Sequence, residues 1–246
     1  PRGKRQYPLA INLGGDGHLG VYGAPGYGKT LLIQTLITSL CISYSPADVQ
    51  IYVLDYGSRL LRQFERMPHV GAVITADEME RLKRLLLLLN RKIEERRQSF
   101  GEAGVGTLAA YRQAANESEP AIVGILDNFA NFLEAMDEDE APMNAIARLA
   151  RDGANYGIHL VLTANNSATI RFGIASNVTL AIALHLVESS EYGALVGRAE
   201  DLKLPAIPGR GLIRGTPPQE CQIALPIAGD TDSERAFCWL MQELAK

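Results

Sequence analysis

No stretch of this 246-residue chain constrains its fold as tightly as residues 18–30, His-Leu-Gly-Val-Tyr-Gly-Ala-Pro-Gly-Tyr-Gly-Lys-Thr. Leu19 to Tyr22 is an apolar run suited to a short buried strand. It feeds straight into Gly23, Ala24, Pro25, Gly26, Tyr27, Gly28, Lys29 and Thr30, which satisfy the pattern G-x-x-x-x-G-K-[ST]. Glycines there let successive backbone N–H groups turn inward around a polyphosphate, where a Cβ would obstruct the turn. The helix that opens near Gly28 points its positive end at the same anion. Lys29 is placed to bring a point charge to the β and γ phosphates, and Thr30 to ligate Mg²⁺ through its hydroxyl. ATP and Mg²⁺ are the cofactors this loop implies.

The remaining punctuation alternates strands with helices, which calls for an α/β fold with a mostly parallel sheet covered by helices on both faces. Expected strands are Tyr7 to Leu13, leading in through a Gly14–Gly17 turn, then Val49 to Leu54, Val70 to Ile74, Ala121 to Leu126, Ile158 to Thr163, Leu180 to Leu186, Gly211 to Arg214 and Gln219 to Leu225. Between them, helices are expected after Thr30, from a Thr75/Glu78 capping box to about Phe100, through Tyr111 and Arg112, from about Pro142 to Tyr156, from Glu191 to Val196 and from Ser233 to Leu244. With 47% apolar and 21% charged residues, one domain spanning 1–246 is expected, its core at 17–226.

A formal net charge of −4 argues against a constitutive DNA-binding surface. The helix near residue 90 carries Arg81, Lys83, Arg84, Arg91, Lys92, Arg96 and Arg97, but Glu78, Glu80, Glu94 and Glu95 interleave with them, so an exposed, ion-paired face is expected. Cys41, Cys221 and Cys238 are too far apart to suggest a zinc site or a disulfide framework. His18, His69, His159 and His185 lack metal-ligand spacing and are read as structural. No apolar stretch reaches the roughly 20 residues of a membrane helix, and a start at Pro1 fits a fragment of a longer chain.

Such a site needs a second carboxylate for Mg²⁺ from another strand. Asp127, after Ile122 to Leu126, meets that description, and Asp55 is the rival. Motor ATPases commonly place Glu or Asp next to it to polarise the attacking water; here the residue is Asn128, which cannot accept a proton at neutral pH. Binding with slow turnover is therefore expected, since Glu134 could substitute only if the chain folded back. Asn165, at the end of the next strand, is the candidate γ-phosphate sensor. Arg148, Arg151, Arg198 and Arg210 are available to reach a neighbour's site, each more simply read as a surface charge.

Taken together, GHLGVYGAPGYGKT, SPADVQIYVLDYG, MPHVGAVI, AIVGILDN and ARDGANYGIHLVLTANN resemble the FtsK/SpoIIIE group of P-loop ATPases. Within that group LDYGSRLLRQFERMPHVGAVI, ANYGIHLVLTAN and VGRAEDLKLPAIPGRGLI are most similar to the EccC/EssC ATPase modules of type VII secretion. DNA-pumping relatives carry a proline- and arginine-bearing segment after the sensor strand and a Glu after the Mg²⁺ aspartate. Asn166-Ser167-Ala168 and Asn128 stand there instead, so secretion is favoured over the alternative of a DNA translocase. The resemblance implies a RecA/FtsK-like domain of a multi-ATPase chain anchored through segments not present here. It implies a position on the cytoplasmic side of the cell membrane and sibling ATPase modules as partners. It also implies secreted helical effectors with a Trp-x-Gly type turn, and a homo-hexamer in the full-length protein.

Overall fold

In strands buried on both faces every side chain needs a covering layer, and here the alternate residues divide between two cores. The computed structural model describes residues 7–115, 119–136, 139–198 and 204–227. Its strands are β1 (Leu19–Tyr22), β2 (Val49–Asp55), β3 (Val70–Thr75), β4 (Ala121–Asp127), β5 (Ile158–Ala164), β6 (Leu180–Ala183), β7 (Arg210–Ile213) and β8 (Gln219–Gln222). They form one eight-stranded sheet in the order β3-β2-β4-β5-β1-β6-β7-β8. The first six run parallel, and β7 and β8 extend the sheet antiparallel.

The helices are α1 (Leu13–Asp16), α2 (Lys29–Ser43), α3 (Met79–Glu102), α4 (Leu108–Ala115), α5 (Phe129–Met136), α6 (Glu140–Asp152), α7 (Phe172–Ala175) and α8 (Glu191–Val196). On one face Val21, Val53, Ile125, Val161 and Ile182 pack against Leu32, Ile33 and Ile37 of α2 and against Leu61 and Phe64 of the 3₁₀ helix Leu60–Arg66. On the other, Leu54, Ile122, Leu126, Leu160 and Leu162 meet Leu82, Leu86 and Leu89 of α3, Phe132 of α5 and Ile146 of α6.

Several expectations are corrected. Tyr7 to Leu13 is not a strand: both flanks of β1 are already paired, to β5 and β6. The chain instead arrives with Tyr7 and Leu9 exposed and winds Leu13–Asp16 into one helical turn, capped by the Asn12 side chain on the Gly15 N–H. Thr75 and Glu78 do meet, the Thr75 N–H donating to the Glu78 carboxylate at 3.0 Å, but Thr75 still ends β3 and the helix starts only at Met79. Residues 129–136 form a helix that the sequence reading omitted. α6 starts at Glu140 on an Asp139 cap and gives way at Gly153 to a 3₁₀ turn through Tyr156. β6 stops at Ala183. β8 stops at Gln222, after which the chain follows α2, with the Thr35 hydroxyl donating to the Ala224 carbonyl at 2.7 Å. The expected helix Ser233 to Leu244 and Cys238 lie outside the described residues.

The α3 face is ion-paired, with Arg81, Lys83, Arg91, Lys92 and Arg97 all bridged to carboxylates. Arg96 departs from the expectation. It is buried, donating to the Tyr156 and Pro120 carbonyls and to Glu119, and so ties α3 to the loops that enter β4 and β5. No helix among the described residues is long and apolar enough to cross a membrane.

Candidate functional site

Register and pleat together decide which side chains meet. Asp55 is in register with Asp127, Leu126 with Leu162 and Val21 with Thr163, so Asp55, Asp127 and Thr163 all fall on the α2 face at the carboxyl end of the sheet. α2 begins there, at Lys29, directly after the loop Gly23 to Gly28. The loop's backbone explains its glycines: Gly26 has φ +83° and Gly28 φ +100°, and a Cβ on Gly28 would stand 3.2 Å from the Gly209 nitrogen. The loop is tied at three points. The Gly23 N–H donates to the Ala164 carbonyl (3.1 Å), the Ala24 N–H to the His185 carbonyl (2.7 Å) and the Gly209 N–H to the Tyr27 carbonyl (3.0 Å). Pro25 and Gly26 form its exposed tip.

The Lys29 ammonium donates to the Gly23 carbonyl (2.5 Å), the Ala24 carbonyl (3.2 Å) and the Asn165 Oδ1 (3.0 Å), so each of its three hydrogens has an acceptor. The Thr30 hydroxyl donates to Asp127 Oδ2 at 3.0 Å, and the Thr163 hydroxyl to Asp127 Oδ1 at 2.6 Å. Burial pushes the Asp127 carboxyl up from its ordinary value, opposed by the two hydroxyls and the Lys29 charge. It pushes the Lys29 ammonium down, opposed by Asp127. Asp127 and Thr30 offer hard oxygen donors, and Lys29 and the loop amides offer positive dipole and charge. This donor set fits a polyphosphate with a divalent magnesium-like cation.

Asp55, the rival, is employed elsewhere. Its Oδ1 accepts from the Gly57 and Arg59 N–H groups (3.1 and 3.2 Å) and its Oδ2 from the Leu61 N–H (3.0 Å), which caps the 3₁₀ turn. Asn128 stands in the left-handed region at φ +65°. Its N–H donates to the Thr163 hydroxyl at 2.8 Å and its Oδ1 accepts from the Asn131 N–H at 3.3 Å, capping α5. Glu134 lies on the exposed side of α5.

Among the candidate trans arginines, Arg148 pairs with Glu94, Arg151 with Asp152 (3.1 Å) and Arg210 with Glu220 (2.6 Å), while Arg198 is exposed. His18, His69 and His159 bond main-chain carbonyls. His185 instead packs against Tyr27 of the loop, with ring centroids 4.3 Å apart and planes tilted by 37°. Sequence reasoning missed Thr163 as a partner of Asp127. The available signal was a hydroxyl in a strand otherwise free of polar groups over its second half, Leu160 to Ala164.

The strand that delivers the phosphate loop and the strand that delivers the aspartate flank β5, whose end supplies Asn165; this is the fold and layout of a P-loop nucleoside triphosphatase. The profile of the FtsK/SpoIIIE family matches residues 3–203, and the chain belongs to that family. It is 36% identical over 240 residues to the ESX secretion system protein EccC of Thermomonospora curvata, covering 95% of this chain and 18% of that protein. To the EccC of Geobacillus thermodenitrificans it is 32% identical over 219 residues, covering 89% of this chain and 14% of that one. The chain thus spans less than a fifth of these relatives. Among solved structures it is similar to T. curvata EccC (ATPases 2 and 3) in complex with a signal sequence peptide, with TM-score 0.86 and 31% identity, covering 100% of this chain and 45% of that one. It is equally similar in shape to G. thermodenitrificans EssC (ATPases 2 and 3), with TM-score 0.86 and 29% identity, covering 94% and 44%.

Proposed function

We propose that this chain is an ATP-binding module of a type VII secretion ATPase that holds Mg-ATP in the loop Gly23 to Thr30 and turns it over slowly or not at all. The observation that carries the reading is the Thr30–Asp127 hydrogen bond of 3.0 Å beside an Asn128 whose side chain caps a helix. In this reading the loop amides and Lys29 grip the phosphates, Thr30 and Asp127 hold Mg²⁺, and Asn165, already bonded to Lys29, senses the γ-phosphate. Mg²⁺, when bound, supplies charge that offsets the β and γ oxygens. Asn128 has no basic site for the proton of an attacking water, and its Oδ1 already has a donor.

Likeness to EccC and EssC structures containing ATPases 2 and 3 supports a place in a multi-ATPase chain, and the intact loop beside Asn128 favours the second module. We assign 1–246 to a single domain with its core at 17–226. The module lies on the cytoplasmic side of the cell membrane and contacts sibling modules, with a homo-hexamer in the full-length protein. It couples nucleotide binding to export of small helical effectors, a role supported by the signal sequence peptide bound to the T. curvata relative.

Calorimetric titration of the chain and of Lys29→Ala with Mg-ATP tests the premise. Wild type is expected to bind, and the variant to lose about 100-fold in affinity, as when one partner of a buried charge contact is cut. Equal affinities would remove the nucleotide site, and brisk phosphate release by the isolated wild-type chain would refute slow turnover.

A further inference from the structure

β5 is buried along its whole length, and Thr163, with no exposed surface, carries a hydroxyl onto the α2 face of the sheet. A hydroxyl has one hydrogen to give and lone pairs to receive, and both are committed in a fixed sense. It gives to Asp127 Oδ1 at 2.6 Å and receives from the Asn128 N–H at 2.8 Å. The other oxygen of the same carboxylate receives from Thr30 at 3.0 Å. Because Thr30 directs its hydrogen at Asp127, the lone pairs of its oxygen are left for a cation. Without the Thr163 hydroxyl, the Asp127 carboxylate would be held by the Thr30 bond alone and could turn about its χ2 out of this plane. With it, Oδ1 is pinned toward β5 and Oδ2 toward the phosphate loop.

We infer that Thr163 is a positioning residue for the magnesium site: its hydroxyl fixes the rotation of the Asp127 carboxylate, and through the Asn128 amide it holds the left-handed turn that carries the chain from β4 into α5. This deepens the nucleotide-site reading and rests on it. A buried polar residue on a central strand could equally satisfy its own hydroxyl by a main-chain carbonyl of its own neighbourhood. Here it is bonded to a charged carboxylate on the neighbouring strand. Outer partners of metal-holding carboxylates typically contribute 10- to 100-fold in metal affinity.

The test separates positioning from packing. Affinity of the 246-residue chain for a fluorescent ATP analogue is measured in EDTA and across a Mg²⁺ titration, for wild type, Thr163→Val and Thr163→Ser, with thermal melting alongside. The Val variant keeps the shape and is expected to need about 10-fold more Mg²⁺ for the same nucleotide occupancy while its affinity in EDTA is unchanged; Ser restores the wild-type requirement. A Val variant with the wild-type Mg²⁺ requirement, or one that loses EDTA and Mg²⁺ affinity by the same factor, overturns the inference. Should Thr163→Val fail to fold, Thr163→Cys, a weaker donor at the same place, is expected to show an intermediate requirement, and a wild-type one overturns it. A wild-type chain that binds no nucleotide brings down the nucleotide-site reading and this inference together, whereas a binding wild type beside an unaffected Val variant removes only the latter.

Discussion

Asn128 shows how closely a single residue can fit its backbone. At φ +65° an L-residue is crowded, and asparagine is among the few that tolerate the region. Its short side chain also reaches the Asn131 N–H to cap α5. A glutamate here would gain a carboxylate and lose both advantages. Replacing Asn128 by Ala is expected to lower unfolding free energy by about 2 kcal/mol, about half from the lost cap and half because alanine lacks the short polar side chain that eases an L-residue into the left-handed region. Gly, which tolerates the conformation, should be less damaging. Urea denaturation of the two variants checks this, and equal losses would remove the conformational half of the argument. The histidine rings make a related point: His18, His69 and His159 bond main chain, while His185 leans on the phosphate loop through Tyr27.

Among elements, the joint between β1, β5 and α6 is sensitive to acid. His18 Nε2 donates to the Ala150 carbonyl at 2.8 Å while Nδ1 accepts from the Leu160 N–H at 2.9 Å, a pattern only the neutral ring can make. Burial lowers its pKa from 6.5 to about 4, with the Ala150 bond opposing and His159 assisting. The unfolded chain therefore takes up a proton between pH 6.5 and 4 that the folded chain refuses, and stability present above pH 6.5 is lost as the pH falls toward 4. The loss should reach about 3 kcal/mol by pH 4 and then level off. Melting temperatures of wild type and His18→Gln across that range check it, since the variant's curve should be flatter; His159, lowered in the same sense, leaves a residual slope.

The elements most legible in the sequence are those whose own residues mark their limits. β4 and β5, apolar and punctuated, were found to within a residue, and so was the Gly-rich turn into α2. The lead-in residues alternate like a strand, but both flanks of β1, which they precede, are taken by β5 and β6. The helix α5 carries Phe129, Phe132 and Met136 on one side behind an asparagine cap, a signal overshadowed by the aspartate just before it. Burial of Arg96 depended on carbonyls from Pro120 and Tyr156, contacts between segments that periodicity within one helix does not report. In the site, the Asp127–Thr30 and Lys29–Asn165 meetings follow from strand order, which the sequence suggests only through family likeness.

At the scale of the whole molecule the phosphate loop is fastened to three other segments, through Ala164, His185 and Gly209. A ligand that orders the loop therefore acts on the ends of β5, β6 and the turn into β7 at once. At 100 times its dissociation constant Mg-ATP should stabilise the fold by about 2.7 kcal/mol. The amides of Ala24 and Gly209 should exchange with solvent more slowly in its presence, while those of β8 change less. Hydrogen exchange with and without nucleotide checks this, and an unaltered Gly209 would show that the fastening transmits nothing.

Asp55 and Asp127 arrive side by side at the same rim, yet the first is claimed by three amides of the turn that follows it. In the proposed site an ion beside Thr30 would thus find one carboxylate, that of Asp127, turned toward it rather than two. A small, octahedral cation that travels with most of its own water would be served by that; calcium, which gathers six to eight oxygens about itself, would be left short. In the proposed site, a preference between the two alkaline-earth metals would thus be set by a stretch of backbone that touches neither.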